Sequence, residues 1–199
     1  MIAVAQAVTS DLRLPIAWLT GDAHSLPFVD GSFDAGLCQF SLMFFSDRHA
    51  ALLEMRRVVA TGGRVALAVW RSAAANPGWS LFATALEQHV SAAAAATMRA
   101  PFALFDADEV RTIVEAAGFR DVRMDIGTRT IRFLSVREVV VWQALASPLA
   151  DPIGALDAPA LARFVASLAD LVEPYTYDDS VACPSEAYIV TARRWCEFR

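Results

Sequence analysis

Lysine is absent from the 199-residue chain, and all 17 basic residues are arginine. Without an ammonium side chain, a phosphate loop ending in Gly-Lys-Ser/Thr, a Schiff-base enzyme and a Tyr-x-x-x-Lys reductase are all excluded. The glycines, at 21, 31, 36, 62, 63, 78, 118, 127 and 154, include no Gly-x-Gly pair, so no loop of that kind brings bare backbone against a nucleotide. Cysteine is scarce. Cys38, Cys183 and Cys196 are an odd number with no Cys-x-x-Cys pair, the pattern of unpaired thiols in a reducing compartment. His24, His49 and His89 have no metal-ligand spacing, so no metal site is expected. No apolar run approaches the roughly 18 residues of a membrane span. The apolar opening lacks the basic segment and cleavage site of a signal peptide, which leaves a cytoplasmic protein with no membrane partner. The formal net charge is −5 and the arginines are scattered, so no positive stripe exists to bind nucleic acid and a small-molecule substrate is the expected ligand. Gly-x-Ser-x-Gly is missing too, which argues against a serine hydrolase.

What is present is an apolar, folded composition, 56% hydrophobic and 20% charged, of a length that suits one domain burying roughly 70% of its extended surface. Residues 1–8 read as the tail of a buried helix, and 16–20 as a short apolar strand. Residues 33–40 form a second strand, set off by the turn Asp30-Gly31-Ser32. A helix over 47–60 has Leu52, Met55 and Val59 on one face and is stopped by Gly62-Gly63. A strand follows at 64–70. The apolar runs at 35–40 and 65–70 predict strands covered on both faces, as in parallel sheets flanked by helices. Further on come an amphipathic helix over 79–96 and a helix opened by the capping box Asp106-x-x-Glu109 and closed by Gly118. A strand over 120–133, a helix capped by Ser135, a helix over 159–172 and a last strand at 187–192 complete the chain. The fold class is α/β.

Ligands of open parallel sheets bind beyond the carboxyl ends of the strands. The segments there are Gly21-Asp22-Ala23-His24-Ser25-Leu26-Pro27-Phe28 and Gln39-Phe40-Ser41-Leu42. With Asp30-Gly31-Ser32-Phe33-Asp34, Glu54-Met55-Arg56-Arg57-Val58 and Gly62-Gly63-Arg64, they resemble the class I S-adenosylmethionine-dependent methyltransferases. The similarity is to the branch that includes ubiquinone and menaquinone biosynthesis methyltransferases. Downstream, Glu115-Ala116-Ala117-Gly118-Phe119 and Glu186-Ala187-Tyr188-Ile189-Val190 look like the family's penultimate helix with its strand and its closing strand.

The resemblance implies S-adenosyl-L-methionine as cofactor. Asp22 would accept from the adenine amine, the Ala23 amide would donate to a ring nitrogen, and Gln39 and Phe40 would line the methionine end. The alternative for Asp22 is a turn aspartate, and for Gln39 a backbone-bonding strand end. Gly62-Gly63 and Asp34 are read as structural, Cys38 as an inert core thiol, His24 and His49 as solvated or capping, and Asn76-Pro77 as a turn. No catalytic residue is assignable, because methyl transfer depends chiefly on positioning.

The family's sheet order is 3-2-1-4-5-7-6, and its glycine loop follows strand 1. The resemblance places Met1 after strand 2. The expected architecture is therefore an incomplete Rossmann-like sheet, a single truncated domain over 1–199 holding strands 3 to 7, with 71–105 and 134–185 as helical substrate-cover insertions. Aromatic residues there, such as Trp79, Phe105 and Trp142, either line an apolar substrate site or fill core. Two further expectations follow: weak or no cofactor binding, and self-association through an unpaired sheet edge. The competing function is a non-catalytic remnant acting as a binding or dimerisation module.

Overall fold

The computed structural model describes residues 2–12 and 14–195. Helix α1 (Ile2–Thr9) leads into an extended, exposed segment, and the first strand is β1 (Phe33–Gln39). Helix α2 (Arg48–Val58) starts where the Asp47 carboxylate accepts from the Ala50 amide at 2.9 Å, the usual satisfaction of an orphan helix donor. Strand β2 (Val59–Trp70) then runs parallel to β1. Helices α3 (Pro77–His89), α4 (Ala92–Arg99) and α5 (Ala107–Ala116) follow, then β3 (Phe119–Phe133). Helices α6 (Val136–Ala146), α7 (Ala150–Gly154) and α8 (Ala158–Val172) precede the short β4 (Thr176–Tyr177) and the long β5 (Ser180–Arg194). The sheet order is β1-β2-β5-β3, with β5 antiparallel to β2 and β3 and with β4 against one end of β5.

Several expectations change. Residues 16–20 form no strand and are exposed, because an apolar run becomes a strand only when a neighbour accepts its ladder bonds. Helix α1 exists but buries no residue. The helix expected over 79–96 is two, broken after His89 and recapped by the Ser91 hydroxyl. The glycine pair is not the stop of α2, which ends at Val58 as Val59 turns extended and enters the core. Instead, Gly62 takes φ +81°, and a Cβ on Gly63 would lie 2.8 Å from the Asp34 carbonyl. The pair lets β1 and β2 meet closely where their register jumps from Phe33↔Val59 to Ala35↔Arg64. Nor is the sheet covered on both faces: Leu37 is 80% exposed. Cys183 is buried and Cys38 half-buried, both free thiols, while Cys196 lies outside the described residues.

Two apolar clusters hold the fold. One packs Leu52, Val65, Leu67, Val110, Val114, Phe119 and Val190 between the sheet and α2 with α5. The other packs Phe82, Leu86, Val140, Phe164, Leu168 and Val181 among α3, α6, α8 and the far end of β5. Some aromatics of the cover segments are core: Phe82 is buried edge-on to Phe164. Phe105, Trp142 and Tyr177 are exposed.

Asn76 joins the two halves. It is fully buried. Its Oδ1 accepts from the Ser185 hydroxyl at 2.6 Å and the Glu186 amide at 3.1 Å, and its Nδ2 donates to the Ser72 and Glu186 carbonyls at 3.1 Å each. Asn76-Pro77, expected as a turn, is instead the start of α3, with Asn76 before its first residue and its side chain tying that start to β5. Removing the amide strands buried donors and acceptors, each costing about 1–3 kcal/mol. Asn76→Ala is expected to lower the unfolding free energy by about 2–4 kcal/mol, measured by urea denaturation; an unchanged midpoint would refute the role.

Candidate cofactor site

The loop over residues 21–31 crosses beside the carboxyl end of β1 with almost no regular structure, so side chains must hold it. Arg57, on the last turn of α2, does most of this. Its Nη1 donates to the Phe28 carbonyl at 2.7 Å and to Asp30 Oδ1 at 2.8 Å, and its Nη2 donates to the Leu26 carbonyl at 2.9 Å. Glu54, one turn earlier, takes Arg57 in a two-toothed pair at 2.7 and 2.8 Å and accepts from the Leu26 amide at 2.8 Å. The Arg57 carbonyl accepts from the Gly31 amide. Arg57 hydrogen bonding, then the Leu26 amide, lowers the Glu54 carboxyl to a pKa of about 2. Hydrogen bonding to Glu54, then to Asp30, raises the Arg57 pKa.

Ahead of this clamp, Asp22 and Ser25 bridge into a tight turn. Asp22 Oδ1 accepts from the His24 amide at 2.9 Å and sits 2.7 Å from His24 Nδ1. These contacts, the backbone one first, lower the Asp22 pKa. Asp22 Oδ2 and the Ala23 amide make no hydrogen bond among the described residues, and the Asp22 side chain is 67% exposed. His24 Nε2 accepts from the Asp47 amide at 3.4 Å, tying the loop to the start of α2. His24 is therefore a fastener of the loop. His49 is exposed on the first turn of α2.

Between this loop, the end of β1 and α2 lies a cleft of about 240 Å³, lined by Ala23, Leu26, Cys38, Gln39, Leu42 and Phe45 among others. Ala23 and Gln39 thus meet across one space, with Asp22 beside Ala23 at its edge. Phe40 does not line it. Its backbone is left-handed at φ 51°, and its ring stacks on Trp70 at 4.0 Å and 12°, at the adjoining end of β2. Cys38, read from sequence as core, lines the cleft half-buried, and burial raises its thiol pKa.

The fit to an adenosyl group is good at one end: an apolar slot, a free carboxylate oxygen and a free amide donor complement a purine with an exocyclic amine. Sequence reasoning missed Arg57 and Trp70. A basic residue off the apolar face of a helix resembles any solvated arginine, and the Trp70 contact depends on strand pairing.

Because Glu54 titrates near 2 in the fold against an ordinary 4.5, the clamp stabilises the protein fully above about pH 4.5 and is lost as pH falls toward 2. Glu54→Gln is expected to lower Tm at neutral pH and to flatten the Tm–pH curve through that window. Parallel curves for the two proteins would show that the clamp adds nothing.

Residues 1–67 match the family model described as a methyltransferase domain, Methyltransf_11. The demethylmenaquinone methyltransferase of Mycolicibacterium vanbaalenii is 35% identical over 119 residues, 53% of this chain and 50% of that protein. The chain thus spans about half the length of this curated relative. Among solved structures, the YcgJ protein from Bacillus subtilis is similar at TM-score 0.60 and 16% identity, over 98% of this chain and 79% of that one. The Haemonchus contortus phosphoethanolamine N-methyltransferase 2, solved with S-adenosylhomocysteine, is similar at TM-score 0.54 and 14% identity, over 98% of this chain and 41% of that one. Identities this low speak for the fold alone. The first third of the chain is thus similar in sequence to a methyltransferase domain, and the fold as a whole is similar to that of a solved N-methyltransferase.

Proposed function

We propose that the protein transfers a methyl group from S-adenosyl-L-methionine to a small apolar acceptor, with the adenine end of the cofactor in the cleft between Ala23 and Gln39. The observation that carries this reading is the convergence of Ala23 and Gln39 on one slot, with a free Asp22 oxygen at its edge. Asp22 would accept from the adenine amine and the Ala23 amide would donate to a ring nitrogen, which together select adenine. Gln39 would face the methionine end. Phe40 would contribute through the flat Phe40–Trp70 stack, a ledge at the mouth of the site. Bound S-adenosylmethionine supplies an electrophilic methyl, and the chain's task is to orient an acceptor against it and exclude water. The segments 71–105 and 134–185 are suited to that task, and the relatives named as demethylmenaquinone methyltransferases support an apolar acceptor. No helix among the described residues is long and apolar enough to cross a membrane, and the unpaired thiols suit the cytoplasm. The free edge of β1 is the place where two copies would pair.

The chain holds no Gly-x-Gly loop, and none of the residues lining the cleft replaces the close backbone contact it makes. Weak binding by the 199-residue chain follows, and this favours a second reading as a binding module without catalysis. S-adenosylhomocysteine titrated into the protein by saturation-transfer NMR is expected to bind with a Kd on the order of 0.1 mM or weaker. Asp22→Ala is expected to weaken binding about tenfold, the worth of one charged hydrogen bond. Binding near 1 µM overturns the weak-binding expectation, and binding indifferent to Asp22→Ala overturns the adenine placement. Mass-spectrometric detection of a methylated acceptor separates the enzyme from the binding module.

A further inference from the structure

In the helical half, α3, α6, α8 and the far ends of β3 and β5 meet around a cavity of about 30 Å³. Of its lining, Leu168, Val172 and Cys183 are buried, while Trp79, Ile131 and Phe133 are half-buried. No charged side chain lines it among the described residues. Ser185 supplies the one hydroxyl, and that hydroxyl already donates to Asn76 Oδ1 at 2.6 Å. Burial raises the Cys183 thiol pKa, so the thiol stays neutral. The space does not close by the helix moving in: a Cβ on Gly78 would lie 2.8 Å from Cys183 Sγ, so α3 already abuts β5 there. Protein interiors leave few voids of this size, and a dry apolar one takes apolar guests.

Strand register relates this cavity to the aromatic ledge. Trp70 is paired with Ala187, Ile131 with Cys183, and Phe133 with Val181. Paired residues share a sheet face, as do alternate residues of one strand. Trp70, Ala187, Ser185, Cys183 and Val181 therefore lie on one face, with Ser185 about 7 Å along β5 from the partner of Trp70. The ledge stands at one end of this stretch and the cavity at the other. We propose that the cavity binds the branched alkyl end of a small molecule, and that, on the reading of the protein as a methyltransferase, this molecule is the methyl acceptor, its reacting atom left at the Phe40–Trp70 ledge. Size selects the group: a space for about two water-sized units takes both methyls of an isopropyl tip, is underfilled by a linear chain and is too narrow for an aromatic ring.

The probe is isoamyl alcohol, titrated into isotope-labelled protein and followed by the NMR shifts of the Val181 and Cys183 amides, with n-amyl and benzyl alcohol as the linear and aromatic comparisons. The branched alcohol is expected to bind about tenfold more tightly than either. Cys183→Leu fills the cavity and should abolish binding, with circular dichroism checking its fold. Leu168→Ala enlarges the cavity and should admit benzyl alcohol, which decides the matter if the filled variant does not fold. Absence of shifts at these amides overturns the proposal, as does equal binding of the three alcohols or binding indifferent to both substitutions. None of these readouts needs the cofactor, so alcohol binding without any binding of S-adenosylhomocysteine would overturn methyl transfer and leave the cavity a binding site. Where methyl transfer is detected, acceptors ending in a branched alkyl group should react faster than their linear isomers; the reverse order would detach the cavity from the acceptor.

Discussion

The geometry of the candidate site rests on one guanidinium. The loop that carries Asp22 and Ala23 has neither helix nor ladder to place it, and its backbone groups would otherwise turn to water. Arg57 gathers the Leu26 and Phe28 carbonyls and the Asp30 carboxylate into a single planar fork, with Glu54 fixing that fork from one helical turn away. Arg194 extends the hub by donating to the carbonyls of Arg57 at 3.0 Å and Val59 at 2.6 Å, which fastens the end of α2 to the closing strand. A lysine could not do this work: a point charge on a flexible stem offers no set of coplanar donors. In a chain without lysine, a fork of this kind is made by arginine, a group that stays charged at any ordinary pH.

Where local rules decide the outcome, sequence reading came close to the structure. The caps expected at Asp106 and Ser135 both form, because each needs only an oxygen and an amide three residues on. The apolar runs within 33–40 and 187–192 became strands because each found a partner, β2 in both cases. Residues 16–20 failed because a strand is a property of two segments, and none of the described residues pairs with this one. The span of β5 was underestimated because its far half, including Val181 and Cys183, is made strand by pairing with β3, and nothing local announces that. Ala23 and Gln39, singled out by motif order, line one cleft, while the Phe40 ring lies against Trp70 outside that lining.

That φ deserves a physical account. A bulky aromatic residue in the left-handed region costs on the order of 1–3 kcal/mol and persists only where its surroundings enforce it. Here the Phe40 amide donates to the Ala68 carbonyl at 2.9 Å, and its ring lies flat on Trp70, an arrangement worth about 0.5–1.5 kcal/mol beyond area burial. The turn sends Gln39 and Phe40 to different sides of the strand end, one into the cleft and one onto the aromatic ledge. Phe102, 6.2 Å from Trp70, extends the ledge toward the helical segments.

β5 belongs to both apolar clusters: Val190 and Ala192 pack in one, Val181 and Cys183 in the other. Its 15 residues are therefore the common wall of two cores that otherwise share few side chains. A strand in this position acts as a spine. Any slip of the strand would disturb both cores at once, whereas a change confined to the helical half leaves the sheet's own cluster in place. Damage to the helices is thus a local event, and loss of β5 a global one.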